Sequence, residues 1–199
     1  AALSDAGCGK EAIEAAWFSN TRQGVMEGQH GIRGQAALRA YGFEEIPIVN
    51  CDNACASSST GVNQAFAAIK AGLCEVALVV GADKMNYPEK RELMFEAFLG
   101  GMDRELAEAQ LERQLELSAG LDLPPEARAD TGQRSIFMDS YAAMARHHMA
   151  LFGTTREQIA AIASKNHWHS QFNPMAQYRT PMTIDEVLAD KPISWPLTR

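Results

Sequence analysis

Residues 46–72 read IPIVNCDNACASSSTGVNQAFAAIKAG. The stretch begins as a strand: Ile46, Ile48 and Val49 are apolar, and Pro47 stands near a strand's start, where a missing N–H matters least. It ends as a helix: Val62, Ala65, Phe66, Ile69 and Leu73 recur at helical spacing and give one apolar face. Between them sits Cys55, followed by the small residues Ala56, Ser57, Ser58, Ser59, Thr60 and Gly61. The pattern predicts Cys55 at a strand-to-helix turn, beside a helix N-terminus whose free N–H groups favour negative charge. A thiol there ionises more readily, and the thiolate is the nucleophile. Small neighbours leave room for an acyl group to reach the sulfur. The rival reading is packing, because free cysteine is among the most buried residue types.

Working outward, Ala12 to Ser19 reads as a strand. Asn20 to Gly31 reads as a loop with Gly24, Gly28, Gly31 and His30. Ile32 to Tyr41 reads as a helix with Ile32, Ala36 and Ala40 on one stripe and Gly42 as its stop. The run Val76–Val80, VALVV, is the pattern of a strand buried on both faces. Strand, helix, strand, helix, strand implies a parallel sheet with right-handed crossovers. In such sheets sites lie beyond the carboxyl ends of the strands, where Cys55 falls.

Composition excludes several classes. The 199 residues are 46% hydrophobic and 22% charged, with a formal charge of −7. No basic run marks a nucleic-acid partner. No apolar run approaches the ~20 residues of a membrane helix. The cysteines Cys8, Cys51, Cys55 and Cys74 form no CxxC pair, which points to free thiols in a reducing compartment. His147, His148, His167 and His169 are adjacent or two apart, a poor spacing for a shared helix face, so no metal site is expected. No GxGxxG, P-loop or GxSxG string is present.

From Asp83 the composition shifts. Asn86 to Arg91 reads as a polar turn around Pro88, and Glu92 to Gly101 as amphipathic. Asp103 to Leu117 reads as a charged helix with Leu106, Leu111 and Leu115 as contacts, and Pro124 and Pro125 as a linker. Ser135 to Phe152 reads as a helix through Phe137, Tyr141, Met144, His148 and Phe152, ended by Gly153. Thr154 with Glu157 fits a capping box for a helix over Ile159 to about His167. Thr183 with Glu186 fits another before the short helix DEVLA.

Three stretches carry a resemblance: NACASSSTGVNQA (53–65), GADKM (81–85) and FGTTREQIAAIASKNHWHSQFNPMAQYR (152–179). In this order they resemble the thiolase superfamily, especially its SCP-x-like or lipid-transfer members. The resemblance implies a thiolase-like layered α/β fold, a mostly parallel sheet with helices on both faces, plus a mainly helical loop domain. It divides the chain into residues 1–83, an α/β core half; 84–182, the loop domain; and 183–199, a return to the core. It matches the first half of a member, without the opening strand and with the second half absent.

The resemblance makes Cys55 the acyl-accepting cysteine and coenzyme A a substrate or product, with no bound cofactor. It places Tyr141 in the acyl pocket, against the plainer reading of a core aromatic. The family's other acid/base residues, a histidine in a Gly-His-Pro-like motif and a second cysteine, belong to the other half. Ser58 stands where many members have Gly, a departure bearing on the oxyanion geometry.

The implied activity is an acyltransferase cleaving or condensing 3-oxoacyl-CoA in lipid or sterol side-chain metabolism. A retro-aldol lyase with a small accessory subunit and a non-catalytic acyl-CoA or lipid-binding subunit are the alternatives. Homodimers, or dimers of dimers, are expected along the polar strand Val49–Asp52. The expected location is cytoplasmic, or peroxisomal in a eukaryote.

Overall fold

The computed structural model describes residues 1–117, 120–128 and 136–199. By its contacts the chain gathers into two units, Ala1–Arg104 and Glu105–Arg199.

The first unit is built on a parallel sheet of β1 (Ala15–Ser19), β2 (Ile48–Cys51) and β3 (Ala77–Gly81), in the order β2-β1-β3. Trp17 lies opposite Val49 on one side and Val79 on the other. β1 therefore has a bonded neighbour along each edge and is buried throughout. Its side chains alternate between two cores. Ala15 and Trp17 pack with Cys51, Cys74 and with Ala65 and Ala68 of α4 (Ser57–Lys70). Ala16 and Phe18 pack on the opposite face with Leu38 of α3 (Arg33–Arg39). The sheet thus carries a helix on each face, an α/β architecture.

The face that α4 turns to the sheet is made of small residues: Ser57, Gly61, Ala65 and Ala68 are buried. A Cβ on Gly61 would stand 2.8 Å from Ser19 Oγ and 3.2 Å from Val79 Cγ1, so the helix backbone lies as near to the strands as glycine permits. The large residues of the expected stripe point the other way, with Val62, Phe66 and Leu73 exposed at 58%, 64% and 79%.

Several local expectations are corrected. The 20–31 loop contains a short helix, α2 (Gln23–Glu27), opened by Asn20 Oδ1 accepting from the Gln23 N–H at 3.3 Å. In α3 the buried residues are Gly34 and Leu38, while Ile32, Ala36 and Ala40 are exposed. A side chain on residue 34 would collide with Phe18, so small size decides which face turns inward. The first strand is shorter than expected, because Lys10–Ala12 form a 3-10 turn ahead of it. β3 is half-buried rather than buried on both faces, since it forms an edge of the described sheet and α4 packs on one of its faces. A short α1 (Ala2–Ala6) precedes these elements, and a 3-10 turn at Pro88–Lys90 leads into α5 (Arg91–Leu99), the expected amphipathic segment.

The second unit is mainly helical: α6 (Ala107–Glu116), a 3-10 turn at Pro125–Arg128, α7 (Ile136–Phe152), α8 (Arg156–Ser170) and α9 (Ile184–Ala189). A small antiparallel pair, β4 (Pro192–Ser194) and β5 (Leu197–Thr198), follows. Leu106 is exposed. Ser135 and the side chains of Leu111 and Leu115 lie outside the described residues. α7 stops at Gly153, whose φ of 67° is a left-handed value suited to glycine.

The capping box of α8 uses Thr155 and Gln158, one residue later than expected: Gln158 N donates to Thr155 Oγ1 at 3.3 Å and Thr155 N to Gln158 Oε1 at 3.0 Å. Thr154 is engaged elsewhere, its hydroxyl 2.9 Å from His148 Nδ1. The Thr183–Glu186 box forms as expected, with Glu186 N donating to Thr183 Oγ1 at 3.2 Å. The backbone N–H and hydroxyl of Thr183 hold the Glu186 carboxyl below the usual carboxylate range.

If the small face of α4 is what lets it seat on β1, Gly61→Val forces the helix off the sheet. The expected loss is about 2 kcal/mol, read as a lower urea midpoint at unchanged slope. An unchanged midpoint contradicts this packing.

Candidate active site

β2 ends at Cys51, and five residues separate it from the start of α4 at Ser57. The turn between them is tight. Ala54 adopts φ 45°, a left-handed conformation costly for a residue with a Cβ. Ser57 holds it in place: its buried hydroxyl accepts from the Asn53 N–H at 2.8 Å and donates to the Ala54 carbonyl at 2.7 Å. Ser19 Oγ, at the end of β1, donates to the Ser57 carbonyl at 3.0 Å and ties the turn to the central strand. Asn53 Nδ2 reaches forward to Thr60 Oγ1 at 3.0 Å.

This framework leaves Cys55 exposed, whereas Cys51 and Cys74 are buried and Cys8 is half-buried. Burial pushes the Cys51 thiol up, and a hydrogen bond with Ser19 acts in the opposite sense. Cys51 is thereby a packing thiol, with its sulfur 3.7 Å from Gln64 Oε1.

No side chain caps α4. The Ala56 and Ser57 N–H groups are spent on the Asn53 and Ala54 carbonyls, while those of Ser58 and Ser59 have no acceptor among the described residues. Ser58 lies in regular helix, so glycine's backbone freedom is not required at that position.

Cys55 lines a cleft of about 300 Å³ at the carboxyl ends of the strands. Its floor includes Ser19, Ser57, Ser58 and Gly81, and its wall Thr21, Arg22, Asp83 and Phe98. Asp83 is the clamp of this wall. Its carboxylate accepts from Asn20 Nδ2 at 2.9 Å, Thr21 N at 3.2 Å and Arg22 N at 2.8 Å. The segment after β3 is thus bound to the segment after β1.

Asn20, Arg22 and Asp83 were not singled out from sequence. The available signal was Asn20 itself, a polar residue directly after the apolar run AAWFS, which must find partners if buried.

Tyr141 belongs to the other unit, on α7, and is 58% exposed rather than a core aromatic. His30 is exposed and lies outside the lining of the cysteine cleft. His147 and His167 face the backbone carbonyls of Leu117 and Thr180, each at 3.2 Å. Among the described residues no group of three His, Cys, Asp or Glu is gathered for a metal, and no helix is long and apolar enough to cross a membrane.

Fold and site together define a parallel α/β protein with an exposed cysteine at a strand-to-helix turn. The chain belongs to the thiolase family: the family model for the thiolase N-terminal domain matches residues 1–188. Sterol carrier protein 2 of Gallus gallus is 30% identical over 194 residues, covering 96% of this chain and 31% of that protein. Acetyl-CoA acetyltransferase of Methanothermobacter thermautotrophicus is 27% identical over 196 residues, 98% of this chain and 44% of that one. Benzoylsuccinyl-CoA thiolase subunit BbsB of Thauera aromatica is 22% identical over 187 residues, 94% of this chain and 40% of that one. The chain therefore spans less than half the length of each of these relatives.

The difference in exposure among the thiols has a direct readout. Limited iodoacetamide treatment of the native protein is expected to modify Cys55 well before Cys51 and Cys74, as followed by peptide mapping. Equal labelling of Cys51 and Cys55 contradicts the placement of the turn.

Proposed function

We propose that the protein is a thiolase-type acyltransferase in which Cys55 carries the acyl group. The observation that supports this most is the exposed Cys55 thiol on the cleft at the sheet's carboxyl edge, directly before a 14-residue helix. The names of the relatives, an acetyl-CoA acetyltransferase and a benzoylsuccinyl-CoA thiolase subunit among them, fit a coenzyme A thioester as substrate.

The Cys55 thiolate attacks the thioester carbonyl carbon, and negative charge develops on the carbonyl oxygen. The unspent N–H groups of Ser58 and Ser59 are donors suited to that oxygen. The carbon–sulfur bond to coenzyme A then breaks. The leaving thiolate takes a proton, and the acyl group remains on Cys55 as a new thioester. In the second half-reaction a thiol or a carbanion attacks this thioester and releases the Cys55 thiolate. The family resemblance assigns the movement of protons in these steps to a histidine and a second cysteine of the other half of the family fold. The strained Ala54 turn suits such a role, because it holds the sulfur out from the sheet without help from its own side chain.

In the full-length protein, Cys55→Ala is expected to lower acetoacetyl-CoA thiolysis by about a thousandfold or more, acting on kcat, because no other side chain replaces the nucleophile. Turnover retained within tenfold contradicts the acyl-enzyme and moves the assignment to a lyase that does not acylate its cysteine.

A further inference from the structure

The cysteine cleft holds one cation that the chemistry above does not use. Arg22 lines it together with Cys55 and is half-buried there. Its guanidinium lies over the Phe98 ring, 5.5 Å from the centroid. It occupies the space where residue 101 would carry a Cβ, a position held by glycine.

Two other cations of this unit have carboxylate partners: Arg33 pairs with Asp52 at 3.3 Å, and Lys84 with Glu27 at 3.9 Å. Among the described residues no carboxylate pairs with Arg22. The acid on the same wall, Asp83, is turned to the Arg22 backbone N–H, the Thr21 N–H and the Asn20 amide. That clamp fixes the Arg22 backbone, and among the described residues no acceptor is matched to the guanidinium's N–H donors.

We propose that Arg22 makes this cleft a receptor for an acyl group ending in a carboxylate, so that the preferred substrates are coenzyme A thioesters of short dicarboxylic acids. The thioester part rests on the acyltransferase reading; the carboxylate part rests on Arg22 alone. A planar guanidinium held on an aromatic face presents paired N–H donors that match a carboxylate in a bidentate way. A volume of about 300 Å³ is at the small end of ligand sites and suits a short chain. The phosphates of coenzyme A are the other anion within the same ligand, and the test separates the two.

Two unreactive thioethers of equal chain length, S-(3-carboxypropyl)-coenzyme A and S-butyl-coenzyme A, are titrated calorimetrically into the full-length protein. Both carry the same phosphates, so their affinity ratio reports the terminal carboxylate alone. The carboxylate compound is expected to bind about tenfold tighter or more. Arg22→Gln is expected to bring the ratio near unity, and Arg22→Lys to leave an intermediate value, since an ammonium keeps the charge without the fork.

Equal affinities in the unmodified protein, or a preference that survives Arg22→Gln, overturn the proposal. Neither compound acylates a thiol, so the outcome does not depend on Cys55 chemistry. Failure of the acyltransferase reading shows separately, as absence of an acyl adduct with a thioester.

Discussion

The distance of closest approach between α4 and β1 governs the rest of this structure. Gly61, Ala65 and Ala68 let the helix backbone settle against Trp17 and Val79, and a Cβ at position 61 would crowd Ser19 Oγ and Val79 Cγ1. Once the helix is seated so low, its first turn arrives level with the ends of the strands. The chain leaving β2 must then reverse within Asp52–Ala56, and Cys55 is lifted onto the rim. The same seating turns Val62, Phe66 and Leu73 away from the sheet, so this helix is apolar on both sides. A contiguous exposed apolar face is uncommon on an isolated domain. It occurs here in a chain that spans less than half of each cited relative.

The tight reversal costs backbone strain at Ala54, and the surrounding hydrogen bonds offset it. Ser57 makes two of them from one buried hydroxyl, and Ser19 makes the third from the central strand. These groups are small, polar and buried, which is why they act as fixings rather than as nucleophiles. Asp83 does on the opposite wall what Ser57 does on the floor. It gathers the backbone N–H groups after β1 and makes the ends of two strands one surface. Both sides of the cleft are tied to β1 or the segment directly after it, and β1 is the most buried strand of the sheet.

Much of this was legible in the sequence. The strand-turn-helix around Cys55, the parallel order of elements and the family were readable because period and punctuation agreed over each segment. The face each helix buries was not. In α3 and α4 the apolar periodicity pointed to Ile32, Val62 or Phe66, whereas the structure buries Gly34, Leu38 and Gly61; of the face expected on α4, Ala65 is the residue that is buried. Hydrophobicity alone does not reveal that close approach favours small residues. The one-residue shift of the α8 cap was not legible either: both Thr154 and Thr155 are capping residue types, and in the structure Thr155 caps the helix while the Thr154 hydroxyl lies against His148. Asp83 and Arg22 were illegible because their roles depend on two loops far apart in sequence meeting at one sheet edge.

The central claim is that Cys55, and not its buried neighbour Cys51, accepts an acyl group. The direct measurement is tryptic mapping of the full-length protein after brief exposure to acetyl-CoA and acid quench. Residues 40–70 fall in one peptide containing both thiols, so fragmentation must assign the acetyl group. An acetyl thioester on Cys55, absent from Cys51 and lost with Cys55→Ala, is the predicted result. An acetyl group on Cys51, or none in a protein that still turns over acyl-CoA, contradicts the account.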